Sequence, residues 1–330
     1  SCCPLCGVRT AMGRHQRLRT VGVFTATVGM MALKPMMIHI TRGAEATALP
    51  PRAFLLWSEG FKVFFCLLML AGRSSLALSA RVWGGFSHTR CFTGPAIVYL
   101  VSNSITVYNA RLLEPSVFQL LASTKIIATA AAAVLILGRA LGQQQWLALV
   151  LVSIGVAVGQ QRQGADLSAR KTPQFCVLLM LLNSCLSAVA GILAEKALKS
   201  KESSGMSIFA TNLHMALHTI MVNGAVLMVQ VLLSGESLLP TELPSRVSMF
   251  ALGSEALNGI LVSMLMRDAD SIVKNYAFTA STFIVAGLST LFFGYSLRPQ
   301  VLVGAGLTVV SMVLYVRGGQ LTQQEAKANG

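Results

Sequence analysis

Ten apolar runs, most of them long enough to cross a membrane as a helix, set the terms for this 330-residue chain. The first five extend from Val21 to Ile40, Phe54 to Ala71, Pro95 to Leu112, Val117 to Leu137 and Trp146 to Gly159. The second five extend from Phe175 to Leu198, Ile208 to Leu233, Met249 to Met266, Ile272 to Phe293 and Val301 to Val316. A spanning helix needs about 20 apolar residues, and the fifth run approaches that length by extending back through Gln143. Charged residues make up only 12% of the chain, against roughly a quarter in a soluble domain. So few charges cannot clothe a soluble protein of 35.1 kDa, and 54% hydrophobic residues exclude disorder. Connections such as 294–298 are too short to fold by themselves. The pattern predicts an all-α integral membrane protein with its spans in one bundle.

The net charge of +14 does not mark a nucleic-acid binder, because the basic residues lie mostly between apolar runs rather than among aromatics on a soluble face. In that position they orient helices. With a cytosolic N-terminus, fifteen Lys and Arg fall on the cytosolic side and eight on the other, so both termini are expected in the cytosol. Cys66, Cys176 and Cys185 sit inside apolar runs as small hydrophobes. Cys3-Pro4-Leu5-Cys6 has metal-ligand spacing but no second pair, so no metal site is expected; Cys2, Cys3 and Cys6 suit a cytosolic tail, open to acylation. The chain opens on Ser rather than Met, as a partial or processed product would. No signal-peptide pattern is legible at that end.

Leu135 to Leu141 ends the fourth run with a Gly at 138, and Leu291 to Leu297 ends the ninth with a Gly at 294. The two glycines lie 156 residues apart, and one apolar run follows each. Five spans per half is an odd number, so the halves must have opposite orientation, the inverted repeat of secondary transporters. The expected organisation is a tail over 1–19, repeats over 20–161 and 174–317, a connecting loop over 162–173, and a tail over 318–330.

Charges inside spans are costly unless they face water or a partner. Lys125 stands a third of the way along the fourth run with Gln119, Ser123 and Thr124 beside it, which suits a cation lining a cavity. Glu59 and Lys62 share one face of the second span, as an internal ion pair or as contacts to a substrate. Lys34 suits a snorkelling residue. Glu195 and Lys196 close the sixth span as a solvated or structural pair. Asn103, Asn212 and Ser263 put neutral polar groups in spans, as ligand contacts or interhelical glue. His214 and His218, four residues apart, lack a third ligand and suit helix packing. No Walker motif, catalytic triad or cofactor motif is legible.

Phe118-Gln119, Lys125-Ile126, Thr129-Ala130, Leu137-Gly138-Arg139 and Gln145-Trp146 resemble the central motif of Golgi nucleotide-sugar transporters, in the drug/metabolite transporter superfamily. Ser58-Glu59-Gly60-Phe61-Lys62, Gly191 to Lys196 and Asp270 to Ala277 resemble three further motifs of the branch that moves UDP-galactose, UDP-N-acetylglucosamine and CMP-sialic acid. Phe118 stands where that family usually has Tyr, Ser104 where a second Asn is common, and Ser271 where Asn follows the Asp. Of the helix-seven motif only Asn212 remains.

The resemblance implies ten helices in two inverted five-helix repeats, in the Golgi membrane, importing a UDP-sugar in exchange for nucleoside monophosphate. It leaves CMP-sialic acid as an alternative substrate, and a triose-phosphate carrier or small-metabolite exporter as an alternative of the same superfamily. An intramembrane enzyme is the different class; it would need a catalytic pair, and Glu59 and Glu255 have no His or Asp nearby in sequence. Partners are then the nucleotide sugar, the monophosphate and membrane lipid, with no nucleic acid; a homo-oligomer stays open. Lys125 is expected to hold the phosphate. Lys274 joins it, because the 156-residue offset sets it opposite Phe118, as it sets Ser281 opposite Lys125. Phe118 and Tyr276 are expected to line the base pocket, Asn103 and Asn212 to bond polar edges, Glu59 and Lys62 to orient the site.

Overall fold

The computed structural model describes residues 14–41, 51–71, 88–113, 115–160, 174–200, 203, 205–234, 246–294, 296 and 298–328. The N-terminal cysteines and the connecting loop over 162–173 lie outside them. The described residues form eleven α-helices and one short 3-10 helix, His88–Phe92, with no strand. In chain order the helices are α1 (Arg14–Thr41), α2 (Pro51–Ala71), α3 (Thr93–Leu112), α4 (Pro115–Ser123), α5 (Lys125–Leu137) and α6 (Gln143–Gln160). Then follow α7 (Gln174–Leu198), α8 (Ile208–Ser234), α9 (Arg246–Asp268), α10 (Ser271–Phe293) and α11 (Pro299–Ala328). Five helices are long and apolar enough to cross a membrane: α2, α7, α8, α9 and α11. The protein is an all-α membrane protein.

Each apolar run lies on one helix except the fourth, which the structure divides. The continuous helix expected over Val117 to Leu137 breaks at Thr124. The Thr124 hydroxyl donates to the Leu121 carbonyl at 2.6 Å, and the Thr124 amide donates to the same oxygen at 3.2 Å. Ser184 of α7 also donates to it, at 3.3 Å. A carbonyl occupied three ways is a poor acceptor for the next helical amide, and back-bonding Thr tightens and bends the turn. The break leaves Lys125 as the first residue of α5.

Gly138 and Gly294 are the left-handed glycines among the described residues, with φ of 63° and 68°. They are the C-caps of α5 and α10. An L side chain is strained in that conformation, so glycine is the natural stop.

Helices of the first half find their main neighbours in the second. α1 lies on α9 and α10, α2 on α8 and α9, α3 on α7 and α8, and α5 on α7. α6 and α11 approach most closely: a methyl group on Gly155 would lie 3.0 Å from the Gly304 carbonyl oxygen. With lipid on the outside, close backbone approach rather than water exclusion holds such pairs together. The largest core cluster gathers Ile126, Ala130, Leu149, Ile192, Ile272 and Tyr315 from α5, α6, α7, α10 and α11.

Candidate functional site

Between α4, α5, α7 and α10 lies a cavity of about 330 Å³, within the range of small-molecule pockets. It begins where the helix break presents Lys125 and where the first turn of α10 presents Lys274, both of which line it. From there it runs toward the start of α4 and the end of α6, where Phe118, Gln160, Phe278 and Phe283 line its walls. Asn183, Ser184 and Ser187 supply a polar face from α7, and Thr106 supplies one from α3.

Lys274 is buried. Its first-turn position follows from Asp270, whose carboxylate accepts the Val273 amide at 2.8 Å and caps α10. The Lys274 ammonium lies over Gly191 of α7: a methyl group there would sit 3.2 Å from it and 3.6 Å from the Tyr99 hydroxyl. Lys125 and Lys274 line the same cavity, and like charges so placed repel one another. Two ammonium groups at one end of a small apolar-walled space, with the Tyr99 phenol behind Lys274, can receive a compact anion. The positive end of the helix dipole at the start of α5 adds to that.

The wall between α3 and α7 is satisfied internally. Ser102 donates to the Asn183 carbonyl oxygen at 2.8 Å, and the Asn183 amide donates to Thr106 at 2.8 Å. On the other side, Asn275 of α10 donates to Thr129 of α5 at 2.9 Å.

Below Gly191 the bundle is closed by charge. Arg139, just past the end of α5, pairs with Glu195 of α7, and with Asp270 at 3.3 Å. Lys199 pairs with Glu195 at 2.7 Å and donates to the Ala269 carbonyl. The second Glu195 oxygen accepts the Ser271 amide at 2.8 Å. Burial pushes the Lys199 ammonium below the ordinary lysine value, and Glu195 opposes that. Glu195 is fully buried. It is therefore a structural residue that joins the halves, more central than a pair closing one helix.

The structure brings three of the expected site residues into the cavity wall: Lys125, Lys274 and Phe118. Others face elsewhere. Asn103 is exposed on the outer face of α3, where Ser102 points inward instead. Tyr276 faces α11, its hydroxyl 2.7 Å from Ser311 and its ring 5.5 Å from that of Tyr315. Ser281 and Ser263 bond within their own helices, to the carbonyls of Phe278 and Gly259. Asn212 is fully buried on α8 and bonds the Ile208 carbonyl. Glu59 and Lys62 pair at 2.7 Å against Gly259 of α9, outside the cavity lining. The Gln119 side chain lies outside the described residues. His218 meets Thr93 at 3.0 Å, tying α8 to α3.

Tyr99, Asn183, Ser187 and Asn275 were not singled out from sequence. Asn183, Ser184 and Ser187 did carry a signal, being polar residues that recur at helical spacing within an otherwise apolar run.

A membrane bundle with a buried cationic pocket between its halves has the form of a carrier for a small anion. Residues 15–316 match the nucleotide-sugar transporter family, and the chain belongs to that family. It is 28% identical to the UDP-galactose/UDP-N-acetylglucosamine transporter srf-3 of Caenorhabditis elegans, over 86% of this chain and 78% of that one. It is also 28% identical to the UDP-galactose translocator of Homo sapiens, over 93% and 79%. It is 26% identical to CMP-sialic acid transporter 1 of Oryza sativa subsp. japonica, over 78% and 82%. A solved crystal structure, 9% identical, superposes with a TM-score of 0.68 over 92% of this chain and 98% of that one, a likeness of fold.

Proposed function

We propose that the protein carries a pyrimidine nucleotide sugar, UDP-galactose or UDP-N-acetylglucosamine, from the cytosol into the Golgi lumen in exchange for nucleoside monophosphate. The observation that carries this reading is the convergence of Lys125 and Lys274, one from each half, on one end of a pocket of nucleotide scale. A phosphate between them would neutralise two buried cations. An empty carrier would have to move both charges uncompensated, which favours exchange over one-way flow.

In this reading α4 and α5 are one broken span, and the chain crosses the membrane ten times as two inverted five-helix repeats over 20–161 and 174–317. The paired left-handed stops at Gly138 and Gly294 support it. Both termini are cytosolic, so the cavity faces the lumen and the Arg139–Glu195 end faces the cytosol. Phe118 lines the cavity wall and in this reading covers the base. Glu59, Lys62 and Asn212 would act on the site through packing of α2 and α8.

The test is uptake by reconstituted vesicles of UDP-galactose, UDP-N-acetylglucosamine and CMP-sialic acid. The expected result is fast uptake of a UDP-sugar into vesicles preloaded with UMP and slow uptake into empty ones. Equal rates would refute exchange. A second reading, CMP-sialic acid, is supported by a relative of similar identity named for that substrate; a larger rise in melting temperature with CMP than with UMP at equal concentration would favour it.

A further inference from the structure

We infer that Asn275 and Thr129 form a crossbar that sets the spacing of Lys125 and Lys274, and thereby the affinity of the pocket for a phosphate group. The inference rests on the proposal that these two lysines receive that phosphate.

Asn275 follows Lys274 in α10, and its side-chain amide donates to the Thr129 hydroxyl at 2.9 Å. Thr129 lies one turn beyond Lys125 in α5, and its hydroxyl donates to the Lys125 carbonyl at 2.7 Å. A continuous relay thus runs from the residue beside one lysine to the backbone of the other. Both crossbar residues are buried, Asn275 at 6% exposure and Thr129 at 1%. The crossbar adjoins apolar core residues Ile126, Ala130 and Ile272, where breaking the bond strands a polar group.

Geometry gives the relay a purpose beyond cohesion. Lys125 and Lys274 line one cavity from two different helices, and like charges so placed repel. The crossbar is a neutral link between those helices at the level of the lysines, and it opposes that repulsion. The Thr129 hydroxyl is committed on both sides, donating once and accepting once, so it positions Lys125 rather than contacting a ligand. Asn275 is a positioning residue by the same bond, although its side chain also reaches the cavity wall.

The experiment measures UMP and CMP affinity of the purified full chain, with melting temperature recorded in the absence of ligand. Thr129→Val removes the hydroxyl at constant shape, Thr129→Ser keeps it, and Asn275→Ala removes the donor. Loss of the crossbar is expected to weaken monophosphate binding about tenfold in Thr129→Val and in Asn275→Ala. Thr129→Ser should bind within about twofold of the parent, and the Thr129→Val/Asn275→Ala double variant no worse than either single one. Unchanged affinity in folded Thr129→Val would overturn the inference, as that is the behaviour of a bond that serves folding alone. So would a large loss confined to Asn275→Ala, which would mark direct contact with the ligand. If Asn275→Ala does not fold, the comparison of Thr129→Val with Thr129→Ser decides. Lys125→Ala, measured alongside, separates the two claims: retained UMP binding there defeats the phosphate reading itself, whereas its loss with unchanged Thr129→Val defeats only the crossbar.

Discussion

The same three helices, α5, α7 and α10, behave differently at their two ends. At one end Arg139, Glu195, Asp270 and Lys199 lock them together, two cations against two carboxylates. At the other end they part around a cavity whose lining, among the described residues, carries two cations and no carboxylate, although Glu195 acts on Lys274 from the closed end. Charge is neutralised from within at the closed end and, in the proposed cycle, by cargo at the hollow end. A buried ion network lacking one partner costs folding, whereas a buried cation awaiting a ligand costs binding when it is lost. The difference predicts opposite phenotypes for substitutions at the two ends.

The largest effect is expected at the closed end. Glu195→Ala leaves the half-buried Arg139 and Lys199 without their shared, fully buried carboxylate and strips the acceptor from the Ser271 amide. It should cost about 3–5 kcal/mol of stability, seen as a large fall in melting temperature in detergent. A near-parental melting temperature would erase the contrast between the ends.

Lys125→Ala should do the reverse. Monophosphate binding is expected to fall beyond detection in a thermal-shift titration, while the ligand-free melting temperature stays near the parent. Lys125→Arg should also bind poorly, because a planar fork does not replace a compact ammonium in a fitted pocket. Glu59 is held by Lys62 at 2.7 Å and lies outside the cavity lining, so it does not partner Lys125. A destabilised Lys125→Ala protein that still bound UMP would make the hollow end structural too.

Gly191 lies at the boundary between the two regimes. A methyl group there is 3.2 Å from the Lys274 ammonium, tight enough to displace it by a few tenths of an ångström. Gly191→Ala should therefore raise the KM for exchange several-fold with a small change in melting temperature. Unaltered KM would show that Lys274 has room to spare.

The smallest effect belongs to Tyr276→Phe. Its hydroxyl bonds Ser311, whose own hydroxyl donates to the Ala148 carbonyl at 2.5 Å, on the side of α10 away from the cavity. The change should cost about 1 kcal/mol of stability and leave UMP affinity alone. A marked loss of affinity would return Tyr276 to the binding site.

How far the site was legible in the chain depended on what each residue would cost elsewhere. Lys125 stood out because a lysine in an apolar run needs a reason. Asn103 was misleading: it neighbours Ser102, successive helix residues point about 100° apart, and only the packing of α3 on α7 selects which one faces inward. Tyr276 was misleading for the same reason. In soluble helices an apolar stripe reveals the inward face. Here lipid-facing and core-facing sides are both apolar, so the pattern that would fix rotation is missing.

The sequence by itself determined that the chain is a membrane bundle, where its helices run, which glycines stop α5 and α10, and which charges are too costly to be idle. These follow from transfer free energies and backbone conformation, which act residue by residue. Only the tertiary structure decided that the fourth run breaks at Thr124, that Glu195 belongs to a lock between the halves, and that Asn275 reaches Thr129 across 146 positions of chain. Those depend on helix rotation and on which helices become neighbours, and a nearly uniform apolar surface leaves both to packing.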